Sequence, residues 1–314
     1  MTGNPQLAPR VQPIAETGSP PVRYSVVAPM HDEQGNVRAL YHEIKLTMDR
    51  LGESYEIIFV NDASGDDTLK QMKALNRNDP AFHFIDLETN VGENWALLAG
   101  ISRANGEIII TIDGDYQNDP KYIPDLLNEL RKGYRVVSGR RTSRQADLWT
   151  KRVPSSIANT LIRLVSGVPV HDCGCGLKAY RREAVEGKFV PKGFMNRFSP
   201  ISLGVKRGEF AEVEIVDRAR IAGGSHYGLT RVFAVVRDLW VLPFAVRNAA
   251  AWGKVFTAIA GVTALGFVLF ALRADWIASS VMLLVALASV ANAVNLRRFV
   301  EARRAPKFRI KEYC

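Results

Sequence analysis

Two apolar stretches close to the C-terminus, residues 255–272 and 276–294, are separated only by Arg273, Ala274 and Asp275. Each is close to the length needed to cross the ~30 Å hydrocarbon layer of a bilayer. Across residues 251–296 the only charged side chains are Lys254, Arg273 and Asp275. So short a connection makes a tight hairpin, which places the chain on either side of it at one face of a membrane. The segment after the hairpin is basic: Arg297, Arg298, Arg303, Arg304, Lys307, Arg309 and Lys311 stand against Glu301 and Glu312 alone. Basic residues beside an apolar span mark the cytoplasmic side. A buried hairpin in a soluble protein is the alternative, and it leaves the basic flank unexplained.

The hairpin sets a division of the chain. Residues 1–21 hold Pro5, Pro9, Pro13, Pro20 and Pro21 among small and polar residues, with no apolar core segment. They read as a flexible tail and not as a signal peptide. Residues 22–227 carry the organised body. Within 228–250, Leu229, Val232, Phe233, Val236, Leu239 and Trp240 fall at helical spacing, with Arg231, Arg237 and Asp238 between them. This is expected to be a juxtamembrane interfacial helix, with a core helix of the same pattern as the alternative. The hairpin spans 251–296, and 297–314 is a basic cytoplasmic tail.

In the body, apolar runs alternate with amphipathic ones. Strands are expected at 22–29, 55–61, 82–87, 107–113 and 134–138, and helices at 36–51, 67–76, 93–104 and 120–132. Ile57-Ile58-Phe59-Val60 and Ile108-Ile109-Ile110 are too continuous for a sheet with one wet face. The class is therefore α/β, a mostly parallel sheet with helices on both faces and ligands beyond the carboxyl ends of its strands.

The net charge of +9 suits anionic lipid or phosphorylated substrates. It argues less for nucleic acid, because no aromatic-studded basic motif or zinc-finger spacing is present. Cys173, Cys175 and Cys314 make no disulfide framework. His171, Cys173 and Cys175 alternate, but no second ligand pair turns them into a metal site. Neither Gly-x-Gly-x-x-Gly after the first strand nor a P-loop occurs.

What the strand ends do carry is carboxylate. Glu33 comes after the first strand, Asp62 after the second, and Asp113 and Asp115 after the fourth. Asp113-Gly114-Asp115-Tyr116-Gln117 alternates oxygen ligands just past an apolar strand, and such hard ligands suit Mg²⁺ or Mn²⁺ bridging a diphosphate.

At this point the sequence resembles a known family. Pro29-Met30-His31-Asp32-Glu33, Val60-Asn61-Asp62-Ala63-Ser64-Gly65-Asp66, Asn90-Val91-Gly92 and Asp113-Gly114-Asp115-Tyr116-Gln117-Asn118-Asp119-Pro120 occur in the order and spacing of the inverting family-two glycosyltransferases of GT-A fold. Ser138-Gly139-Arg140-Arg141-Thr142-Ser143-Arg144, Asp172-Cys173-Gly174-Cys175-Gly176-Leu177-Lys178-Ala179-Tyr180-Arg181-Arg182 and Arg220-Ile221-Ala222-Gly223-Gly224-Ser225-His226-Tyr227 are similar to its polyprenyl-phosphate branch. That branch includes dolichol-phosphate mannose synthase and the undecaprenyl-phosphate sugar transferases. The chain departs from it at His31-Asp32, where Tyr-Asn is usual, and at His226, where Lys is usual.

The resemblance implies transfer of one sugar, with inversion, from a nucleotide sugar (UDP favoured over GDP-mannose) to polyprenyl phosphate at the inner membrane, for cell-envelope glycans. It implies that Pro29, Glu33, Asp62 and Asp113 bind the nucleotide sugar and that Asp113, Asp115 and Gln117 hold the metal. Arg140, Arg144 and Arg220 would grip phosphates, with Asp172 orienting the acceptor and Arg220, Ser225 and His226 meeting its phosphate. Membrane lipid is a partner, nucleic acid is not, and relatives form tetramers. A lipid hydroxyl acceptor, or a non-catalytic protein that binds nucleotide sugar, are the alternatives.

Overall fold

A computed structural model describes residues 21–142, 163, 167–186, 203–218, 229–304 and 308–314. The expected N-terminal tail, up to residue 20, lies outside the described residues, as do Arg144, Arg220, Ser225 and His226.

The chain runs β1 (Tyr24–Met30), α1 (Val37–Leu51), β2 (Tyr55–Asn61), α2 (Thr68–Asn76), β3 (Phe82–Leu87), α3 (Glu93–Arg103) and β4 (Ile108–Thr111). Next come α4 (Ile123–Arg131), entered through a 3₁₀ turn at Pro120–Tyr122, then β5 (Val136–Arg141), β6 (Lys178–Arg181) and the short α5 (Arg182–Val185). The last elements are β7 (Phe210–Ile215), α6 (Leu229–Leu272), α7 (Trp276–Arg304) and β8 (Ile310–Tyr313).

One eight-stranded sheet has the order β7-β5-β6-β4-β1-β2-β3-β8. β1 pairs in parallel with β2 and β4, as β2 does with β3 and β5 with β7. β6 lies antiparallel between β4 and β5, and β8 antiparallel to β3.

The continuous apolar strands are buried on both faces. Val26, Ala28, Ile57, Phe59, Ile108 and Ile110 point to one layer with Leu40, Ile44 and Met48 of α1 and Leu126, Leu127 and Leu130 of α4. Those helix positions recur every three to four residues and make one apolar stripe. Val27, Ile58, Val60, Ile109 and Tyr180 point to the opposite layer, with Ala96, Leu97 and Ala99 of α3. Gly100 lets α3 sit against β1 and β2, since a Cβ there would overlap Val27 and come within 3.0 Å of Val60.

The same layer receives the root of the helical hairpin. Val241, Ala245 and Ala249 of α6 and Leu296 and Phe299 of α7 are buried in it. Phe244 packs edge-on against Trp252 and Phe256, with ring centroids 4.9 and 5.1 Å away. The segment expected at the interface thus packs on the start of the first span. α6 contains Pro243, which removes a helical hydrogen bond, and departs from helical geometry at Asn248 (φ −160, ψ 87).

Two helices, Asn248–Leu272 and Trp276–Glu301, are long and apolar enough to cross a membrane. Unlike core helices they leave large side chains bare: Val262 is 72% exposed, Leu272 80% and Ile277 82%.

The basic tail expected at 297–314 has more structure than its composition suggests. α7 continues to Arg304, and Ile310–Tyr313 then joins the sheet beside β3. The charge hid a strand: Phe308 just before it and Ile310 and Tyr313 within it pack on the core layer, the last two brought to one side by a register shift in the pairing with β3. Glu312 pairs with Lys73 at 2.5 Å, and the Arg103 guanidinium lies 5.3 Å over the Tyr313 ring. This strand covers an edge of β3 that would otherwise expose unpaired backbone groups.

Candidate active site

Three non-glycine residues adopt left-handed backbone just after the three adjacent central strands: Asp32 (φ 55), Ala63 (φ 51) and Tyr116 (φ 62). Strained backbone of this kind collects where function requires it. Here it marks the carboxyl ends of β1, β2 and β4.

At the end of β2, Asp62 is 2% exposed. One carboxylate oxygen accepts the Val91 N–H at 2.8 Å and the other the Gly92 N–H at 2.8 Å. Both donors stand at the entrance of α3, so Asp62 ties the Asn90-Val91-Gly92 loop to the sheet. His31 Nδ1 donates to the Asp62 carbonyl at 2.8 Å, which leaves Nε2 to accept from Asn90 Nδ2 at 2.9 Å. Glu33 opens α1: its carboxylate accepts from Asn36 Nδ2 at 2.6 Å, and its N–H donates to Thr68 Oγ1 at 2.9 Å.

The Asp113-Gly114-Asp115 turn comes after β4. A Cβ on Gly114 would overlap the Pro29 carbonyl and meet Met30 Sδ at 2.7 Å, so the turn lies against the end of β1. A Cβ on Gly176 would overlap the Asp113 carboxylate itself. The Gln117 N–H donates to Asp115 Oδ1 at 3.2 Å. Arg218 clamps the turn from outside: its guanidinium lies 4.6 Å over the Tyr116 ring, 2.9 Å from Asp119 and 3.2 Å from Glu43.

Burial pushes the Asp113 carboxyl up to about 8, with Glu93 at the start of α3 and Asp115 adding like-charge repulsion. Lys178 and Arg141 act in the opposite direction. Mutually repelling hard carboxylates are a donor set that a divalent cation fits, because it would neutralise them and restore the ionised form. Asp113 and Asp115 could hold one, with Gln117 as their neighbour, although no cluster of three or more His, Cys, Asp or Glu side chains suited to a metal occurs among the described residues.

Asp172 is gripped by Arg141. Arg141 Nε donates to Asp172 Oδ2 at 2.6 Å and Nη2 to Oδ1 at 2.9 Å, and Gly174 N–H donates to Oδ1 at 3.0 Å. The pair is largely buried, with Asp217 3.6 Å from the same guanidinium. Arg140, the next residue on β5, is turned the other way. It is half-exposed and lies 3.6 Å from Glu214. Cys173 and Cys175 are buried, and burial pushes the Cys175 thiol up to about 12. Cys175 therefore stays a protonated packing group, while His171 turns to Glu212 at 2.7 Å.

Carboxylates gathered past a buried parallel sheet, beside long apolar helices, agree with what comparison finds. The profile of Glycosyl transferase family 2 matches residues 25–188, more than half of the chain. The chain belongs to this family.

A family 2 relative, "Dodecaprenyl-phosphate galacturonate synthase" of Rhizobium johnstonii, is 36% identical over 252 residues, covering 78% of this chain and 74% of that one. "Undecaprenyl-phosphate 4-deoxy-4-formamido-L-arabinose transferase" of Pseudomonas aeruginosa is 33% identical over 216 residues, 68% of this chain and 63% of that one. The Aeromonas hydrophila transferase of the same name is 29% identical over 304 residues, 92% and 93% of the two chains. That alignment takes in the helical hairpin as well as the sheet. Among solved structures, glucosyl-3-phosphoglycerate synthase from Mycobacterium tuberculosis, in complex with Mn²⁺, UDP and glucosyl-3-phosphoglycerate, superposes with a TM-score of 0.56 at 18% identity. It covers 72% of this chain and 80% of that one, a likeness of fold. The protein is a glycosyltransferase.

The structure brings Pro29, Glu33, Asp62, Asp113, Asp115 and Gln117 to neighbouring strand ends. It also supplies three residues of this family 2 site to which the sequence motifs assigned no role: Arg141, Gly176 and Lys178. Arg141 adjoins Arg140 in one strand, where alternation sends adjacent side chains to opposite faces. The pattern alone did not say which arginine turns inward.

Proposed function

We propose that this glycosyltransferase moves one sugar from a nucleotide diphosphate sugar to a polyprenyl phosphate, with inversion, at the cytoplasmic face of the inner membrane. A UDP-sugar is favoured over GDP-mannose, and undecaprenyl phosphate is the acceptor. The observation that carries the reading is the common layer: the helices too apolar for water are rooted in the sheet whose strand ends gather Asp62, Asp113 and Asp115. A polyprenyl acceptor cannot leave the bilayer, so its enzyme must be held at the surface. Two spans are too few to thread a growing polysaccharide.

Residues 22–227 form the catalytic domain, 228–250 the juxtamembrane segment and 251–296 the membrane hairpin. Asp62 and Glu33, with Pro29, border the nucleoside. Asp113 and Asp115 would hold Mg²⁺ or Mn²⁺, which when bound neutralises charge on the departing diphosphate. The structural likeness to a synthase crystallised with Mn²⁺ and UDP supports that assignment. Arg144 and Arg220 would grip phosphates as bidentate forks, with Ser225 and His226 completing the acceptor site, whereas Arg140, expected to share that role, is turned toward Glu214.

The acceptor needs no dedicated base. A phosphate monoester has its second pKa near ~6 and is largely a dianion at neutral pH. The two short bonds from Arg141 support the same view, since they occupy both oxygens of Asp172. Asp172 orients, and the acceptor phosphate attacks the anomeric carbon directly. The names of the relatives, which carry dodecaprenyl and undecaprenyl phosphate, support this acceptor class. Tetramer formation through the membrane helices is part of the proposal, with Gly261, where a Cβ would meet open space, permitting close helix contact, while Gly266 faces Met282 of the same hairpin.

The test is incubation of purified protein with Mn²⁺ or Mg²⁺, undecaprenyl phosphate and radiolabelled UDP- and GDP-sugars. Label should enter the organic phase as an acid-labile species and be lost in Asp115→Ala. Absence of transfer from every donor, with donor binding intact, would overturn the reading.

A further inference from the structure

Lys178 opens β6, in register with Thr111 of β4 on one side and Ser138 of β5 on the other. Its side chain is 4% exposed. Alternation puts it on the face of Tyr180, the layer of α3 and of the site. No ion pair or side-chain hydrogen bond of its ammonium occurs among the described residues. The stem is buried, whereas the ammonium nitrogen is not among the fully buried polar atoms left without a partner, as for a lysine whose charged tip reaches an opening. Its charge acts on the Asp113 carboxyl, two residues past Thr111.

We propose that Lys178 binds the donor: its ammonium meets a phosphate oxygen of the nucleotide sugar's diphosphate beside Asp113. This assignment rests on the nucleotide-sugar reading above. In the reaction the bond between the anomeric carbon and the diphosphate oxygen breaks, and its electron pair stays with the diphosphate. An oxygen of the acceptor phosphate forms the new bond to the same carbon. The leaving group gains one negative charge and no proton moves. A fixed ammonium already in place interacts more strongly with that product-like charge than with the intact donor, which is how a preorganised site lowers a barrier.

The experiment compares wild type, Lys178→Met and Lys178→Arg in the full-length protein with Mn²⁺, measuring UDP and uridine binding by calorimetry and competition. Lys178→Met should bind UDP about 10- to 100-fold more weakly, the range of a lost charged hydrogen bond, and uridine unchanged. Lys178→Arg should recover most of the UDP affinity. Lys178→Gln is the second variant if the methionine protein does not fold, and it too must lose UDP selectively. Equal UDP affinity in wild type and variant, or an equal loss for uridine and UDP, overturns the assignment and leaves the proposed function standing. If wild type binds neither UDP nor GDP, the nucleotide-sugar reading falls and the role of Lys178 with it.

Discussion

Replacing Asp172 by Asn separates two roles for this residue. The side chain keeps its shape, but the buried Arg141 loses its bidentate partner, and an amide N–H₂ faces either Nε, now 2.6 Å from a carboxylate oxygen, or Nη2 at 2.9 Å. Asp217, at 3.6 Å, is the remaining carboxylate within ion-pair distance. Stranding one member of a buried pair costs about 3–5 kcal/mol. For a domain of this size each kcal/mol lowers the melting temperature by about 2–4 °C, so a fall of roughly 6–20 °C is expected. Thermal unfolding in detergent measures it. The second readout is the pH profile of transfer below saturation. If the acceptor dianion is the nucleophile, the rising limb stays near the phosphate's own pKa of ~6 in both proteins. A variant that melts with the wild type refutes the clamp. A variant whose folded protein loses that rising limb makes Asp172 the base, and refutes the orienting role.

The same geometry sets other expectations. Gly176→Ala places a methyl group on the Asp113 carboxylate; displacement of a reacting group by about an ångström lowers kcat on the order of a hundredfold. With Asp113 pushed up to about 8, a bound cation must displace a proton, so Mn²⁺ affinity by titration calorimetry should fall as pH drops from 8 to 6. Metal-free protein should behave conversely. The folded state holds a proton that the unfolded state releases near its ordinary 3.8, so Asp113 stabilises the fold at low pH and less as pH rises toward 8, a slope that Asp113→Asn removes. Val262→Arg, on a side chain 72% exposed, should impair membrane insertion by about 2.5–3.5 kcal/mol and shift protein out of the carbonate-resistant pellet; an unchanged distribution would argue that α6 does not span. Deleting residues 308–314 bares the β3 edge, and scattering should then report concentration-dependent aggregation.

Much of the fold was legible because single-residue choices there have one physical reading. Ile57-Ile58-Phe59-Val60 is apolar at both parities, so only a strand covered on both faces suits it, and β2 is buried on both. The placement of Asp113 and Asp115 at the end of a buried strand was legible, because the apolar run of β4 stops just before them. What escaped were features made by long-range pairing. The charges of residues 309–312 said surface, yet the register with β3 turns Ile310 and Tyr313 inward. Gly176 carried no signal of its own, because the Asp113 carboxylate that lies against it is far away in sequence. Lys178 sat within a recognised motif, but only pairing with both β4 and β5 buries it. α6 accommodates Pro243 and leaves helical geometry at Asn248, where the first apolar span begins, a break that no residue type there announces.

The most direct test of the central claim changes only the acceptor. Purified protein in liposomes receives one active nucleotide-sugar donor and either undecaprenyl phosphate or undecaprenol, and the lipid products are resolved by mass spectrometry and NMR. A phosphodiester-linked sugar with inverted anomeric configuration, formed from the phosphate and not from the alcohol, is the expected result. Transfer to undecaprenol, or a retained anomeric configuration, would contradict the account.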